Sequence, residues 1–473
     1  MTKKLTKHRS ILTILLIFVF GSFMWFNPIS AELSAQSWHL FVIFLCTMIG
    51  IVLSPLPISP VALLGAATCI VTGALTTKQV LSGFSENVVW LLVFAFFIAR
   101  AIIKTGLGKR IAYFFISKFG KTSLGLSYGL VMAEFLLSPF IPSVTARGGG
   151  IIYPISQSLV TAYGDDISAN CKKRNLGFLS QVCFQANVIT SAMFLTAMAA
   201  NPLVQSLAHK VGIEISWSAW AMGAIVPGLL SLLVMPLFVY FLHPPATKFS
   251  PDAPKHALES LKEMGRLSFQ EMVMMIVFIA LIAGWILDKK IGLDATAVAL
   301  IGVVTLLVTG VLTWDDAINE KSAWDSFVWF AVMVMMSGYL AEFGTIKWIG
   351  LKIGESLKHY PAIIAVPSLI LIYFYLHYLF ASITSHITVL FSTFLILILS
   401  FNVPSMLAVM PLAYFSTLSG GLTHYSISSA PVYFGNKSVT TLQWWKIGFC
   451  LSVLNIFIWT VFGGLWWKYL GWF

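Results

Sequence analysis

Runs of about twenty apolar residues recur along the whole chain, parted by short polar stretches. A helix of that length crosses the hydrocarbon core of a bilayer. Eleven crossings are expected, near 11–27, 38–54, 58–75, 86–104, 176–200, 219–243, 268–288, 294–312, 323–341, 405–424 and 445–467. Two stretches, 124–162 and 363–401, break this pattern. Each is long and apolar but is interrupted near its middle, by Pro142-Ser143-Val144-Thr145-Ala146-Arg147 in one and Ala381-Ser382-Ile383-Thr384-Ser385-His386 in the other. Both are read as re-entrant hairpins that enter the membrane and return on the same side. The short alternating strands of a membrane β-barrel are not evident. An all-α polytopic bundle, whose helices satisfy their own backbone groups, is therefore the expected fold.

Composition agrees. The 473 residues are 58% hydrophobic and 10% charged, against about 25% charged in soluble domains. The net charge of +11 is unevenly placed, which weakens any nucleic-acid reading. With the N-terminus in the cytoplasm, nineteen Lys and Arg fall on inside segments and eight on outside ones, as the positive-inside rule requires. The cluster Lys347–Lys358 fits least well and is read as an interfacial amphipathic helix. The basic start (Lys3, Lys4, Lys7, Arg9) followed by Ile11–Phe26 resembles a signal peptide. It lacks a small-residue cleavage site and is read as a retained first helix. Five scattered cysteines without C-x-x-C or C-x-x-H spacing imply neither a metal site nor a disulfide framework. No phosphate-binding G-x-x-x-x-G-K loop is present, which argues against ATP-driven transport by this chain.

The chain resembles itself at an offset of about 238 residues: Asn87–Ile111 parallels Asp325–Ile349, with Gly106 on Gly344 and Lys109 on Lys347. One residue of slip later, Ser143 and Thr145 align with Ser382 and Thr384. Each half would hold five crossings and one hairpin, so the second copy is inverted, an architecture of secondary transporters. The expected divisions are 1–37 (cytoplasmic tail and first transmembrane helix), 38–243 (first repeat), 244–267 (cytoplasmic linker) and 268–473 (second repeat). The two hairpins would open from opposite sides, with their tips near the midplane.

A helix break frees backbone carbonyls and N–H groups. Carbonyls and Ser or Thr hydroxyls suit a hard cation such as sodium, and the N-terminus of the returning arm favours a carboxylate. Candidate substrate ligands are therefore Ser143, Thr145, Arg147, Ser382, Thr384, His386, Thr423 and His424. Ser143, Asn187, Ser382 and Thr384 are candidate cation ligands. Arg147 is expected to clamp a substrate carboxylate; the alternative is a buried ion pair with Glu134. Asn187, Thr190 and Ser191 are read as opening the helix after the first hairpin, and Asn201-Pro202 as ending it. Gly125-Leu126-Ser127-Tyr128-Gly129 matches a hydrolase nucleophile motif but opens a membrane helix, where that chemistry has no scaffold. No enzymatic role is expected.

Four stretches, SPFIPSVTARGGGIIYPI (Ser138–Ile155), NVITSAMFLTAMAANPL (Asn187–Leu203), FASITSH (Phe380–His386) and LTHYSISSAPVYFG (Leu422–Gly435), together resemble the divalent anion:sodium symporter family. Within it they are most similar to the branch of the plastid 2-oxoglutarate/malate translocator and the bacterial citrate/succinate and tartrate/succinate antiporters. The resemblance implies a homodimer with a scaffold domain and an elevator-like mobile domain. It also implies hairpin tips that bind cations and substrate carboxylates, at Ser143 and Thr145 and at Ser382 and Thr384. Val144 stands where the family has Asn, Ile383 fills the middle of the second tip, and Ser426-Ile427-Ser428 replaces Gly-Thr-Gly. Loss of the amide at 144 favours anion exchange over strict sodium coupling. The expected function is transport of small dicarboxylates such as 2-oxoglutarate, malate or succinate across an inner membrane by a multi-pass protein with a cytoplasmic N-terminus. Sodium-coupled symport, or another anion such as citrate or sulfate, remains open.

Overall fold

A computed structural model describes residues 2–28, 32–53, 55–161, 168–349, 352 and 360–473. Every named element among the described residues is a helix, with no named strand. Among the described residues, eight helical segments are long and apolar enough to cross a membrane: Ala35–Leu53, Asn87–Thr105, Ser123–Phe140, Trp217–Leu242, Phe269–Ile286, Lys321–Glu342, Ala362–Leu379 and Thr441–Tyr469. Shorter apolar helices cover Leu12–Phe26, Ile58–Val71, Ala295–Val308 and Ile383–Leu399. Side chains such as Ile276, Ile279, Val308 and Leu442 are exposed on these helices, as suits a lipid-facing surface. Most of the predicted Lys347–Lys358 interfacial helix lies outside the described residues.

The helix starts follow local chemistry. Thr76 with Gln79, Ser268 with Glu271, Thr313 with Asp316 and Thr440 with Gln443 each form a reciprocal capping box, which satisfies two orphan N–H groups at once. These boxes also record the internal repeat. Helix Ile58–Val71, the turn at Gly73, the Thr76 box and helix Thr77–Leu81 are matched by Ala295–Val308, Gly310, the Thr313 box and Trp314–Ile318. Gly73 and Gly310 have φ of 72° and 71°, and the aligned Gly106 and Gly344 have 77° and 79°, a region that favours glycine.

By contacts the chain forms two units, each discontinuous in sequence. The first comprises Met1–Val93, Pro202–Ile215 and Lys321–Leu412. Its core includes Trp38, Leu40, Phe330, Met333 and Met336. Gly83 allows its 3-10 turn to lie directly on the carbonyl of Ala331, and Ser59 donates to Asp325 at 2.5 Å. The second comprises Phe94–Asn201, Ser216–Glu320 and Ala413–Phe473. At its centre runs helix Ala169–Met193, buried without interruption from Gly177 to Met193. Its Gln181, Gln185, Asn187, Thr190 and Ser191 are therefore shielded from lipid. The 244–267 segment contains a helix of its own, Asp252–Glu263, packed on Leu107–Phe119. Arg110 fixes that corner, donating to Glu271 at 2.6 Å and to the carbonyls of Gly265 and Met264.

Asp316, outside the crossing helices, accepts from Lys104 at 2.5 Å and from the Thr313 hydroxyl at 2.7 Å. Burial opposes its ionisation, but these bonds win and hold its pKa at about 2, below the ordinary 3.8. A depressed carboxyl pKa stabilises the fold above the unfolded-state value, and that stabilisation is lost as pH falls through the folded value. The melting temperature of Asp316→Asn should accordingly lie below wild type at pH 7, with the gap closing as pH falls from about 4 towards 2. A gap unchanged over that range would contradict the assignment.

Two expected crossings are not continuous. The helix expected over 176–200 stops at Met193, and extended Phe194 and Met198 flank a 3-10 turn at Leu195–Ala197. The one expected over 405–424 stops at Leu418, before a 3-10 turn at Ser419–Gly421. Apart from Thr196 the side chains of the first interruption are apolar, so hydropathy could not reveal it. Asn187, Thr190 and Ser191 consequently occupy the last turns of a helix instead of its start, and Asn201 begins the next helix, Asn201–His209.

Candidate functional site

The first broken stretch lies wholly in the second unit. Helix Ser123–Leu137 passes into a 3-10 turn at Ser138–Phe140, then Ile141, Pro142 and Ser143 lie outside regular helix. The returning arm begins with a π-helix, Thr145–Ile152, and continues as Tyr153–Thr161. Pro142 lacks an N–H and disfavours helix at Ile141 before it. Ser143 caps the new arm: its hydroxyl accepts from the N–H of Ala146 at 3.1 Å, and its carbonyl accepts from the N–H of Arg147 at 2.9 Å. Pro142 in turn accepts from the N–H of Ala199 at 3.2 Å, joining this break to the interruption after Met193.

Arg147 is completely buried, and all five of its N–H donors are engaged. Nε donates to Glu134 at 2.6 Å, Nη1 to the carbonyls of Ile141 and Ala197, and Nη2 to the Ser191 hydroxyl at 2.6 Å and the Asn187 carbonyl at 3.4 Å. The carboxylate it holds is thus Glu134's, and no donor is left to clamp a substrate in this arrangement. This is the alternative weighed for it from sequence. The guanidinium does what a bound cation would do at a broken helix: it sits among freed carbonyls from two interruptions.

Asn187 extends the cluster. Its amide donates to Glu134 at 2.7 Å and to the Val144 carbonyl at 3.4 Å, and its carbonyl oxygen accepts from Ser429 at 2.9 Å. It therefore bonds protein groups on both ends, which places it behind the tip as a brace. Asn201 donates to the carbonyls of Ser191 and Phe194 and accepts from Thr417 at 3.0 Å. Gln185 donates to the Gly421 carbonyl at 3.0 Å. At the tip itself, half-buried Thr145 bonds the exposed Ser428 hydroxyl at 3.0 Å. Thr423 is buried, and its hydroxyl has no hydrogen-bond partner among the described residues. His424 accepts at Nδ1 from the Trp445 indole at 3.1 Å and packs against Phe434.

The second broken stretch lies in the first unit. Helix Ala362–Tyr375 leads through a 3-10 turn, Leu376–Leu379, to extended Phe380 and Ser382. The returning arm runs Ile383–His386, then a π-helix at Ile387–Phe391, then Ser392–Leu399. Ser382 stands at the N-cap, yet its side chain makes no capping bond, unlike Ser143. The Thr384 carbonyl accepts from Thr388 at 2.6 Å. His386 is buried in a cage of rings, with Tyr373, His377 and Phe380 at centroid distances of 4.4, 4.9 and 5.4 Å, and neither of its ring nitrogens has a hydrogen-bond partner among the described residues.

Of the expected site residues, the second unit gathers Ser143, Arg147 and Asn187 into one network and keeps Thr145 accessible beside Ser428. The first unit carries Ser382, Thr384 and His386 on its own broken arm. Sequence reasoning missed Ser428 and Ser429 as partners of Thr145 and Asn187. It gave Glu134 only a secondary part, although an acid deep in an apolar run is a signal in itself.

Buried polar networks at interrupted, lipid-embedded helices define a membrane transporter of the broken-helix kind, built from an internal repeat. The sequence profile described as "Sodium:sulfate symporter transmembrane region" matches residues 8–473, and the chain belongs to this family, the divalent anion:sodium symporters of the sequence resemblance. The chain is 47% identical over 453 residues to the "Putative malate transporter YflS" of Bacillus subtilis (strain 168), covering 95% of each. It is 44% identical over 457 residues to "Dicarboxylate transporter 1, chloroplastic" of Arabidopsis thaliana, covering 95% of this chain and 82% of that one. "Inner membrane protein YbhI" of Escherichia coli (strain K12) is 34% identical over 478 residues, covering 98% and 99%. In fold, the chain resembles the crystal structure of the Alcanivorax borkumensis YdaH transporter, with a TM-score of 0.56 at 11% identity over 84% of this chain and 88% of that one.

Proposed function

We propose that this chain is a secondary active dicarboxylate transporter working by anion exchange. The observation that carries the exchange reading is Arg147, a fixed cation already seated on the carbonyls of Ile141 and Ala197. Such a charge travels with the protein and needs no ion gradient to fill it. Val144 at the tip supplies no side-chain amide, and Asn187 is engaged by Glu134 and Ser429. An outgoing dicarboxylate then provides the driving force. Dicarboxylate specificity is supported by the names of the relatives above, and by two returning arms whose first N–H groups suit carboxylates. Residues Ser143, Thr145, Ser382, Thr384, His386, Thr423 and His424 are assigned to substrate, and Arg147 to organising the first tip. An elevator-like movement, a homodimer, an inner-membrane location and a cytoplasmic N-terminus belong to the same proposal. The family's printed description favours a second reading, sodium-coupled symport, in which Ser143, Ser382 and Thr384 ligate sodium.

Proteoliposomes decide between them. Vesicles loaded with malate should take up labelled malate or 2-oxoglutarate without sodium, while empty vesicles should not. Uptake into empty vesicles that requires sodium would establish symport, and no uptake of any diacid would remove the dicarboxylate reading. In the same assay Thr145→Val and Thr384→Val should each raise the apparent KM by about tenfold, the loss expected for one hydrogen bond to a charged group. Unchanged kinetics in both would leave the tips a purely architectural role.

A further inference from the structure

We propose that segments 117–123, 168–175 and 243–250 together form a binding site for the headgroup of an anionic phospholipid. All three lie in the second unit and are tied by the backbone. Thr122 bridges Phe249, the Ser250 N–H donates to the Lys121 carbonyl and the Ser123 N–H to the Lys248 carbonyl, both at 3.0 Å. Asn175 accepts from the N–H groups of Ala246 and Thr247 and donates to the Thr247 hydroxyl. Arg174 donates to the Pro244 carbonyl at 3.3 Å.

These ties converge five exposed cations, Lys118, Lys121, Lys173, Arg174 and Lys248. No Asp or Glu occurs on the three segments. The site therefore carries concentrated positive charge, which suits a phosphate. Two further features point to a lipid as its source. The segments lie at the ends of crossing helices, since Ser123–Phe140 starts there and Trp217–Leu242 finishes there. This is the level at which hydrocarbon gives way to headgroups. Phe119 and Phe249, next to the lysines, are 50% and 71% exposed. In water those rings would be costly, whereas at the acyl boundary they are favourable.

The reading is independent of which anion the chain carries. Native mass spectrometry of the purified full chain, delipidated and then given phosphatidylglycerol or phosphatidylcholine, tests it directly. Wild type should retain phosphatidylglycerol preferentially. Near a membrane surface each cation strengthens anionic-lipid binding by about fivefold. The exposed triple change K118Q/K121Q/K248Q should thus lower retention by at least tenfold, and K173Q/R174Q should lower it too. The exposed pair Lys78 and Lys290, on other segments, changed to Gln as a control, should leave it intact. Excess inorganic phosphate should leave the lipid bound. Wild-type retention in both sets of variants, an equal loss in the control, or displacement by inorganic phosphate would each overturn the proposal.

Discussion

Arg147→Ala is expected to reduce dicarboxylate exchange to background. The change removes five donors at once and leaves the fully buried Glu134 carboxyl without its cationic partner, with the Asn187 amide and the Thr190 hydroxyl as its remaining partners among the described residues. Removing one member of a buried ion pair costs about 3–5 kcal/mol, and the carbonyls of Ile141 and Ala197 are orphaned as well. Part of the loss will therefore appear as lower yield and melting temperature. Arg147→Lys separates the two contributions. It keeps the charge, but three ammonium donors cannot serve acceptors arranged for a planar guanidinium. That variant should reach the membrane in fair amount and still exchange poorly. Normal exchange in Arg147→Lys would mean that charge alone suffices, and normal exchange in Arg147→Ala would remove Arg147 from the mechanism.

Gly448→Ala is the second large effect, and it acts through packing. A Cβ there would sit 2.5 Å from the Leu422 carbonyl oxygen and 2.6 Å from that of Gly421. Both are backbone atoms of the interruption that Gln185 holds, so neither can rotate aside. Overpacking of this kind costs about 1–3 kcal/mol, and helix Thr441–Ile458 must shift outward to relieve it. The melting temperature and detergent-solubilised yield should fall clearly. Gly150→Ala is the matched control: nothing lies within 4 Å of its Cβ position, so it should melt like wild type. Equal melting of Gly448→Ala and wild type would show that the backbone approach is not tight.

The crossings and the polar interruptions at 141–147 and 380–386 were legible because long apolar runs and their breaks register directly in hydropathy. The repeat was legible through Gly106 and Gly344, whose matched left-handed conformations explain why glycine stands at both. The interruption at Phe194–Met198 was hidden, because its signal is backbone geometry inside an apolar sequence. The buried polar side of helix Ala169–Met193 was only partly legible. A helix enclosed on every side has no amphipathic period, so Gln185 and Asn187 do not advertise what they face. For Arg147, sequence supplied both readings. Only the donor geometry separates a guanidinium spent on Glu134 from one held out to a substrate.

Duplication also has a consequence for how mutations distribute. If tolerance to substitution is measured at every position and the profile is slid along itself by 237 to 239 residues, the two traces should coincide at Gly73 and Gly310, at Gly106 and Gly344, and at the Thr76 and Thr313 capping boxes. They should part at Arg147 and its counterpart His386. One copy has installed a permanent charge with every donor spoken for, while the other keeps an imidazole walled in by rings. The two halves share a frame, but at these paired positions they no longer do the same job.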